Sequence, residues 1–336
     1  MHTCPACGRP GRTGAVYCGH CGASLAAGAQ PAALPDQHRY RGYSYRVAGT
    51  LLLLFGLGAT RASDGVVVTL GLAGFILGGW LVTRGRRHTA KSADEVLRAD
   101  SRPPVLYLRA FADDERGRAE NTTSMVLAGV TEEEQIAHVL NEFGPCIAIG
   151  RPGEPLPELG AARLYVGGAD WQQKVRELMD SARLIVFRAG TTEGVRWEIR
   201  EAFSTLPLSR LLILVPFGEA GYEAFRGHVR RDLGVALPDF PPRAYQAGSL
   251  HGAIHFDSVG QPRFLTFTLK RLRRSMRRPI ASVFRRALEP VYRAQNVPWR
   301  EEPIQWFLVY VYLMIAMGVL SMAGILLALG LGWIDG

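Results

Sequence analysis

Cysteine is nearly absent beyond the first 21 residues: four of the five lie at positions 4, 7, 18 and 21, and only Cys146 follows. That distribution excludes a disulfide framework. No cleavable secretory pattern stands ahead of the first apolar run, which begins after residue 46, so the N-terminal segment is expected to stay in the reducing cytoplasm. Acidic residues are scarcest between Lys270 and Arg293, where Glu289 alone faces nine Lys and Arg residues, and this block holds most of the formal charge of +9. A basic block just before an apolar run reads as a contact for anionic lipid headgroups, each basic residue contributing about 1 kcal/mol, and not as a nucleic-acid surface. The apolar runs themselves contain no ionisable residue, which argues against a transporter or channel.

What is present at the N-terminus is a metal-ligand pattern. Cys4-Pro-Ala-Cys7 and Cys18-Gly-His-Cys21 form two Cys-x2-Cys knuckles, each followed by a glycine. Four thiolates so spaced can surround one Zn²⁺ tetrahedrally, and the metal replaces the core that so short a segment lacks. With four protein ligands no position is open, so the site is structural, and His2 and His20 are read as non-ligands. The pattern is similar to the single zinc ribbons at the N-termini of many prokaryotic membrane proteins. It defines a ribbon over residues 1–24, followed by an Ala-, Gly- and Pro-rich linker over 25–45 that ends in alternating Tyr and Arg, an interfacial anchor.

Three apolar runs follow the pattern of membrane spans. Val47 to Thr60 is short against the about 20 residues a spanning helix needs, so it is either extended by the flanking Arg46 and Arg61 or re-entrant. Val66 to Thr83 completes a helical hairpin over residues 46–84, with Gly74 and Gly78 four apart for close helix approach. Trp306 to Ile334, within residues 304–334, is long enough to cross with tilt. Arginines crowd before the first run, after the second and before the third, so the positive-inside rule places the ribbon and the middle of the chain on the cytoplasmic side of an inner membrane. Residues 269–298 show helical apolar spacing among arginines, which predicts a basic amphipathic helix lying on the membrane surface, kinked at Pro279.

Between residues 100 and 268 strand and helix patterns alternate. Apolar strands are read at Val105–Phe111, Pro145–Ile149, Arg163–Val166, Leu184–Phe187 and Leu211–Phe217, with amphipathic helices at Glu132–Phe143, from Trp171, and at Val195–Phe203. The pattern predicts an α/β, Rossmann-like fold with a mainly parallel sheet covered on both faces. Ligands of such sheets bind beyond the carboxyl ends of the strands. Arg109 with Asp113 and Asp114, Arg151 and Arg188 are expected there. Two readings fit them: an anion site for phosphate or carboxylate, or salt bridges to Asp113, Asp114, Glu193 and Glu198.

The order of motifs resembles a TIR domain over about residues 104–217. Tyr107-Leu-Arg-Ala-Phe111 closes the first strand, Arg151-Pro-Gly-Glu-Pro-Leu-Pro157 is similar to that family's BB loop, and Gly190-Thr-Thr-Glu-Gly-Val-Arg-Trp197-Glu198 leads into its Trp-containing helix. The family's serine-rich loop is replaced by Gly190-Thr191-Thr192. Nucleoside deoxyribosyltransferase-like proteins are similar in the same region. Some members of both families cleave a ribose–base bond with a glutamate in this helix, which implies NAD or a related nucleotide as substrate. The TIR spacing from Trp197 selects Glu201 as the catalytic residue, and the transferase-like pattern selects Glu198, with Trp197 bordering the ligand. Many TIR domains act only by self-association, so the resemblance equally implies a non-catalytic signalling or defence scaffold that forms homo-oligomers or docks a protein partner.

Overall fold

The computed structural model describes residues 2–3, 10–11, 35–59, 62, 64–109, 130–151, 153–166, 171–190, 192–242, 245–270, 275, 278–301, 303, 304, 306 and 310. Near the start, β1 (His2–Thr3) pairs antiparallel with β2 (Pro10–Gly11), a pairing that brackets the first Cys-x2-Cys knuckle in sequence. Cys4, Cys7, Cys18 and Cys21 themselves lie outside the described residues, as do Asp113 and the apolar run beyond Tyr310.

Two long helices come next, α1 (Arg39–Ala59) and α2 (Gly65–His88). The first is longer than its apolar run, because the Tyr/Arg stretch assigned to the linker is already helical and brings α1 to 21 residues. Asp64 caps α2 by accepting a 2.7 Å hydrogen bond from the Val66 amide. The helices pack antiparallel along a glycine seam in which Gly42 meets Gly85, Gly49 meets Gly78 and Gly56 meets Gly71. On each helix these glycines recur every seven residues, the period that keeps one stripe facing a partner along the whole contact. Gly78 belongs to the seam, whereas Gly74 faces the Phe55 ring. The outer surface is apolar and exposed at Leu51, Leu54, Leu70, Ile76 and Trp80. Among the described residues one helix, α2, is long and apolar enough to cross a membrane.

After α3 (Ala93–Ala99), capped by Ser92, the α/β domain runs β3 (Val105–Leu108), α4 (Glu132–Leu140), β4 (Cys146–Ile149), β5 (Ala162–Leu164), α5 (Trp171–Ser181), β6 (Leu184–Arg188), α6 (Glu193–Thr205), β7 (Leu211–Val215) and α7 (Glu219–Leu233). It continues with β8 (Gly252–Phe256), β9 (Pro262–Thr266), α8 (Pro279–Ala287) and α9 (Glu289–Ala294). The seven strands stand in the order β5-β4-β3-β6-β7-β8-β9. The first five are mutually parallel, and β8 and β9 each pair antiparallel with their predecessor. Strands such as Leu-Leu-Ile-Leu-Val at 211–215 are buried throughout because helices cover both faces. β9 opens with Pro262 and is partly exposed, as suits an edge strand.

Alternation along each strand divides the core in two. Val105, Tyr107, Leu184, Val186, Leu212 and Leu214 face α4, α8 and α9. Leu106, Leu108, Ile185, Phe187, Ile213 and Val215 face α5, α6 and α7. This division corrects the surface-helix expectation for residues 269–298. Ile280, Val283, Phe284, Leu288, Val291 and Tyr292 are buried in the first core, so α8 and α9 are part of the globular domain. Helical apolar spacing is the same whether the covering surface is lipid or protein. Burying each such side chain in the protein contributes about 1.5–3 kcal/mol. Pro279 starts α8 and does not kink it, and Gln135 Oε1 accepts a 2.9 Å hydrogen bond from the Ile280 amide at that start.

Candidate functional site: the strand ends and helix α6

The chain leaves β3 for β4 on one side and returns to β6 on the other, so the crevice beyond the carboxyl ends of β3 and β6 is the topological switch point. Arg109 follows β3 and Arg188 ends β6, as the sequence suggests. Both take partners from the first turn of α4. Arg109 pairs with Glu133, which also receives a 3.5 Å hydrogen bond from the Tyr107 hydroxyl. Arg188 Nη1 lies 3.4 Å from Glu132 Oε1, and its Nη2 donates to Ser249 Oγ at 2.6 Å. The Ser249 amide closes the circuit by donating to Glu132 Oε2 at 2.9 Å. Among the described residues, the carboxylates paired with these arginines include Glu132 and Glu133; Asp113, Asp114 and the Glu193 side chain lie outside the described residues.

The third acid of this turn faces the α1–α2 hairpin. Glu134 forms a capping box with Thr131 and pairs with Arg86 near the end of α2. The adjacent Arg87 donates to the Leu156 and Pro157 carbonyls at 2.6 and 3.0 Å and pairs with Glu158 at 3.1 Å. The segment expected to act as a BB-type loop is thus bonded to the end of α2, with Leu156 and Glu154 buried. Arg151 stands part-buried two residues beyond β4. A run of three glutamates in one helical turn was the signal for this junction: positions about 100° apart around the axis cannot all face solvent.

The glutamates of α6 have different surroundings. Val195, Ile199 and Ala202 seat α6 on the second core, so Glu198 lies on the opposite sheet face from α4 and its arginine partners. Glu198 is 8 % exposed, and its Oε2 is buried without a hydrogen-bond partner. Burial alone pushes its carboxyl up to about 8, with no arginine lowering it. Glu201 instead forms a 2.7 Å ion pair with Arg176 of α5. Trp197 packs edge-on against Trp171 with centroids 4.9 Å apart, while the Arg176 guanidinium lies 5.3 Å from its ring centre. Both contacts spend the indole on joining α5 to α6. A small open cleft between α6 and α7 has Ile199, Phe225 and the Arg196–Asp232 ion pair on its walls.

Burial also raises the Cys146 thiol, which makes it an unreactive core residue. Among the described residues no group of three or more His, Cys, Asp or Glu side chains is placed to hold a metal. Comparison of the chain with protein-family models, with curated proteins and with solved structures finds no match.

Proposed function

We propose that this protein is a membrane-anchored signalling or defence module whose TIR-like α/β domain, on the cytoplasmic side, cleaves the ribose–base bond of a nucleotide, with Glu198 as the acid. The observation that carries this reading is the Glu198 carboxyl, buried, with one oxygen unpartnered and protonated up to about pH 8. A neutral carboxylic acid can give its proton to the departing base nitrogen as the C1′–N bond breaks and its electron pair moves to the base; water then adds to C1′ and gives one proton to the Glu198 carboxylate, which restores the acid. Such an acid suits a purine or pyrimidine, which must gain a proton, better than the nicotinamide of NAD, which leaves neutral. The order β4-β3-β6-β7 supports a flavodoxin-like or TIR-like arrangement once the short β5 is set aside. The antiparallel β8 and β9 are an extension of that arrangement.

The anchoring part of the proposal has three spans: the α1–α2 hairpin and the run from Trp306 to Ile334. Anionic headgroups are the partner of the flanking basic residues, and the four N-terminal cysteines hold a structural zinc ion. Loss of bound zinc in Cys7→Ser, measured by metal analysis, tests the last element.

Purified full chain in lipid nanodiscs, incubated with NAD and with purine and pyrimidine nucleotides, should release free base. Glu198→Gln should abolish the release and Glu201→Gln should retain it. Absence of turnover in every assembled state would sink the catalytic reading.

A second reading, a non-catalytic scaffold that self-associates, is favoured by the pairing of Arg109 and Arg188 with Glu133 and Glu132, which neutralises the switch-point crevice from within. It calls for concentration-dependent oligomers by sedimentation in the absence of nucleotide.

A further inference from the structure

The two edges of the sheet differ. At the β5 edge the chain closes over itself: Ser92 bridges to Arg163, and Ala93 at the start of α3 is buried in the second core. At the other edge, among the described residues, β9 pairs with β8 alone. Bonding in an antiparallel pair alternates, and the Asp257 amide, which donates to the Gln261 carbonyl at 2.9 Å, sets its phase. Counting from there, Arg263 and Leu265 bond inward to His255 and Ala253, while Pro262, Phe264 and Thr266 turn their backbone groups away from β8. Pro262 fits this phase, because the N–H it lacks would have pointed outward. No hydrogen bond among the described residues reaches the Phe264 and Thr266 amides from that side. Sheet edges are ordinarily blunted by charge, a bulge or a cover. Pro262 protects only the first position of β9, and the strand's one charged residue, Arg263, is drawn back to Asp257 at 3.0 Å.

We propose that β9 is the surface at which a second copy of this chain adds, antiparallel, about a two-fold axis through Phe264. The edge is self-complementary. Phe264 of each copy exchanges both backbone bonds with Phe264 of the other, and each Thr266 amide donates to the opposite Pro262 carbonyl. No like charges are opposed, because Arg263 stands across from Leu265 of the second copy. Phe264 is partly exposed and lies edge-on to Tyr222 and Phe240, with ring centres 5.5 and 5.8 Å away, and its counterpart covers it. The axis is perpendicular to the sheet, so both copies turn the α4 face to the same side. Arg86 ties the hairpin to Glu134 of α4, and the two hairpins therefore attach on one side of the joined sheet. This interface rests on the self-associating reading of the domain, and the test separates the two.

Sedimentation of the full chain in detergent is combined with residue-level amide hydrogen exchange. Wild type should form dimers in which the Phe264 and Thr266 amides are protected. Dilution to monomer should expose those two while the Arg263 and Leu265 amides stay protected. Thr266→Pro removes an outward N–H and no inward one, so it should raise the dimer dissociation constant at least about tenfold at an unchanged unfolding midpoint. Thr266→Val keeps the amide and should dimerise like wild type. Should the proline variant fail to fold, the wild-type exchange pattern decides. Dimers whose Phe264 and Thr266 amides exchange freely, or a folded Thr266→Pro that dimerises like wild type, put self-association on another surface and overturn this interface alone. Monomers at every concentration overturn it together with the scaffold reading.

Discussion

Gly49 and Gly78 meet backbone to backbone: a Cβ added to either would lie 2.7 Å from the carbonyl oxygen of the other. The contact is repeated by Gly42 with Gly85 and Gly56 with Gly71, so the hairpin is set by what these positions lack. Gly58 and Gly79 lie off the seam, with nothing near the place a Cβ would occupy.

Gly49→Leu or Gly78→Leu should therefore destabilise the hairpin by about 1–3 kcal/mol through overpacking. Gly58→Ala and Gly79→Ala should be neutral or stabilise by about 0.5–1 kcal/mol. Denaturant unfolding of the full chain in mixed micelles reads both. Equal effects at seam and off-seam positions would contradict the packing.

A second prediction concerns acidity. The Glu198 carboxyl is raised from 4.5 to about 8 on folding, so the folded state holds a proton that the unfolded state releases. Stability should be unaffected by this group below pH 4.5, fall with rising pH across the interval, and level off above about 8. The slope is about 1.4 kcal/mol per pH unit at most. Glu198→Gln removes it, so the difference between variant and wild type should grow in the variant's favour from pH 5 to 8. A pH-independent difference would show that the carboxyl is not desolvated.

Arg87 joins the end of α2 to the segment after β4 through Leu156, Pro157 and Glu158. Arg87→Ala should leave the sheet folded and accelerate amide hydrogen exchange in residues 153–158, a local opening distinct from global unfolding. Unchanged exchange there would mean the bonds do not hold the segment.

Phe284 on α8 is fully buried beside Phe267, with ring centres 6.3 Å apart. Phe284→Ala should cost about 3–5 kcal/mol of stability. A surface-lying membrane helix would instead show weaker vesicle binding at unchanged stability, so the two measurements together separate core from lipid contact.

Much of the architecture was legible because continuous apolar runs such as Leu211–Val215 and spacings such as Ile136, Val139 and Leu140 admit few alternatives. The antiparallel β8 and β9 were not anticipated, since Pro262 and the polar positions of 262–266 weaken the strand signal at an exposed edge. The seam glycines recur every seven residues in the sequence, a period that the more familiar four-residue spacing of Gly74 and Gly78 masks. At the candidate site Arg109, Arg188 and Glu198 stood out by type. Their separation followed from strand parity: Arg109 shares the side of Val105 and Tyr107, whereas α6 covers the side of Leu106 and Leu108. Partners such as Ser249, distant by 117 residues from Glu132, leave no local trace.

The first turn of α4 has a mechanical consequence. Glu132 reaches the loop before β8, Glu133 the end of β3 and the middle of β5, and Glu134 the hairpin, so three directions are fixed by three consecutive residues. Rotating this helix about its axis by one residue would misalign all three attachments together. The turn thus works as a gear tooth between hairpin and sheet, and the spacing of residues leading into Thr131 can change freely only if the helix keeps its angular setting.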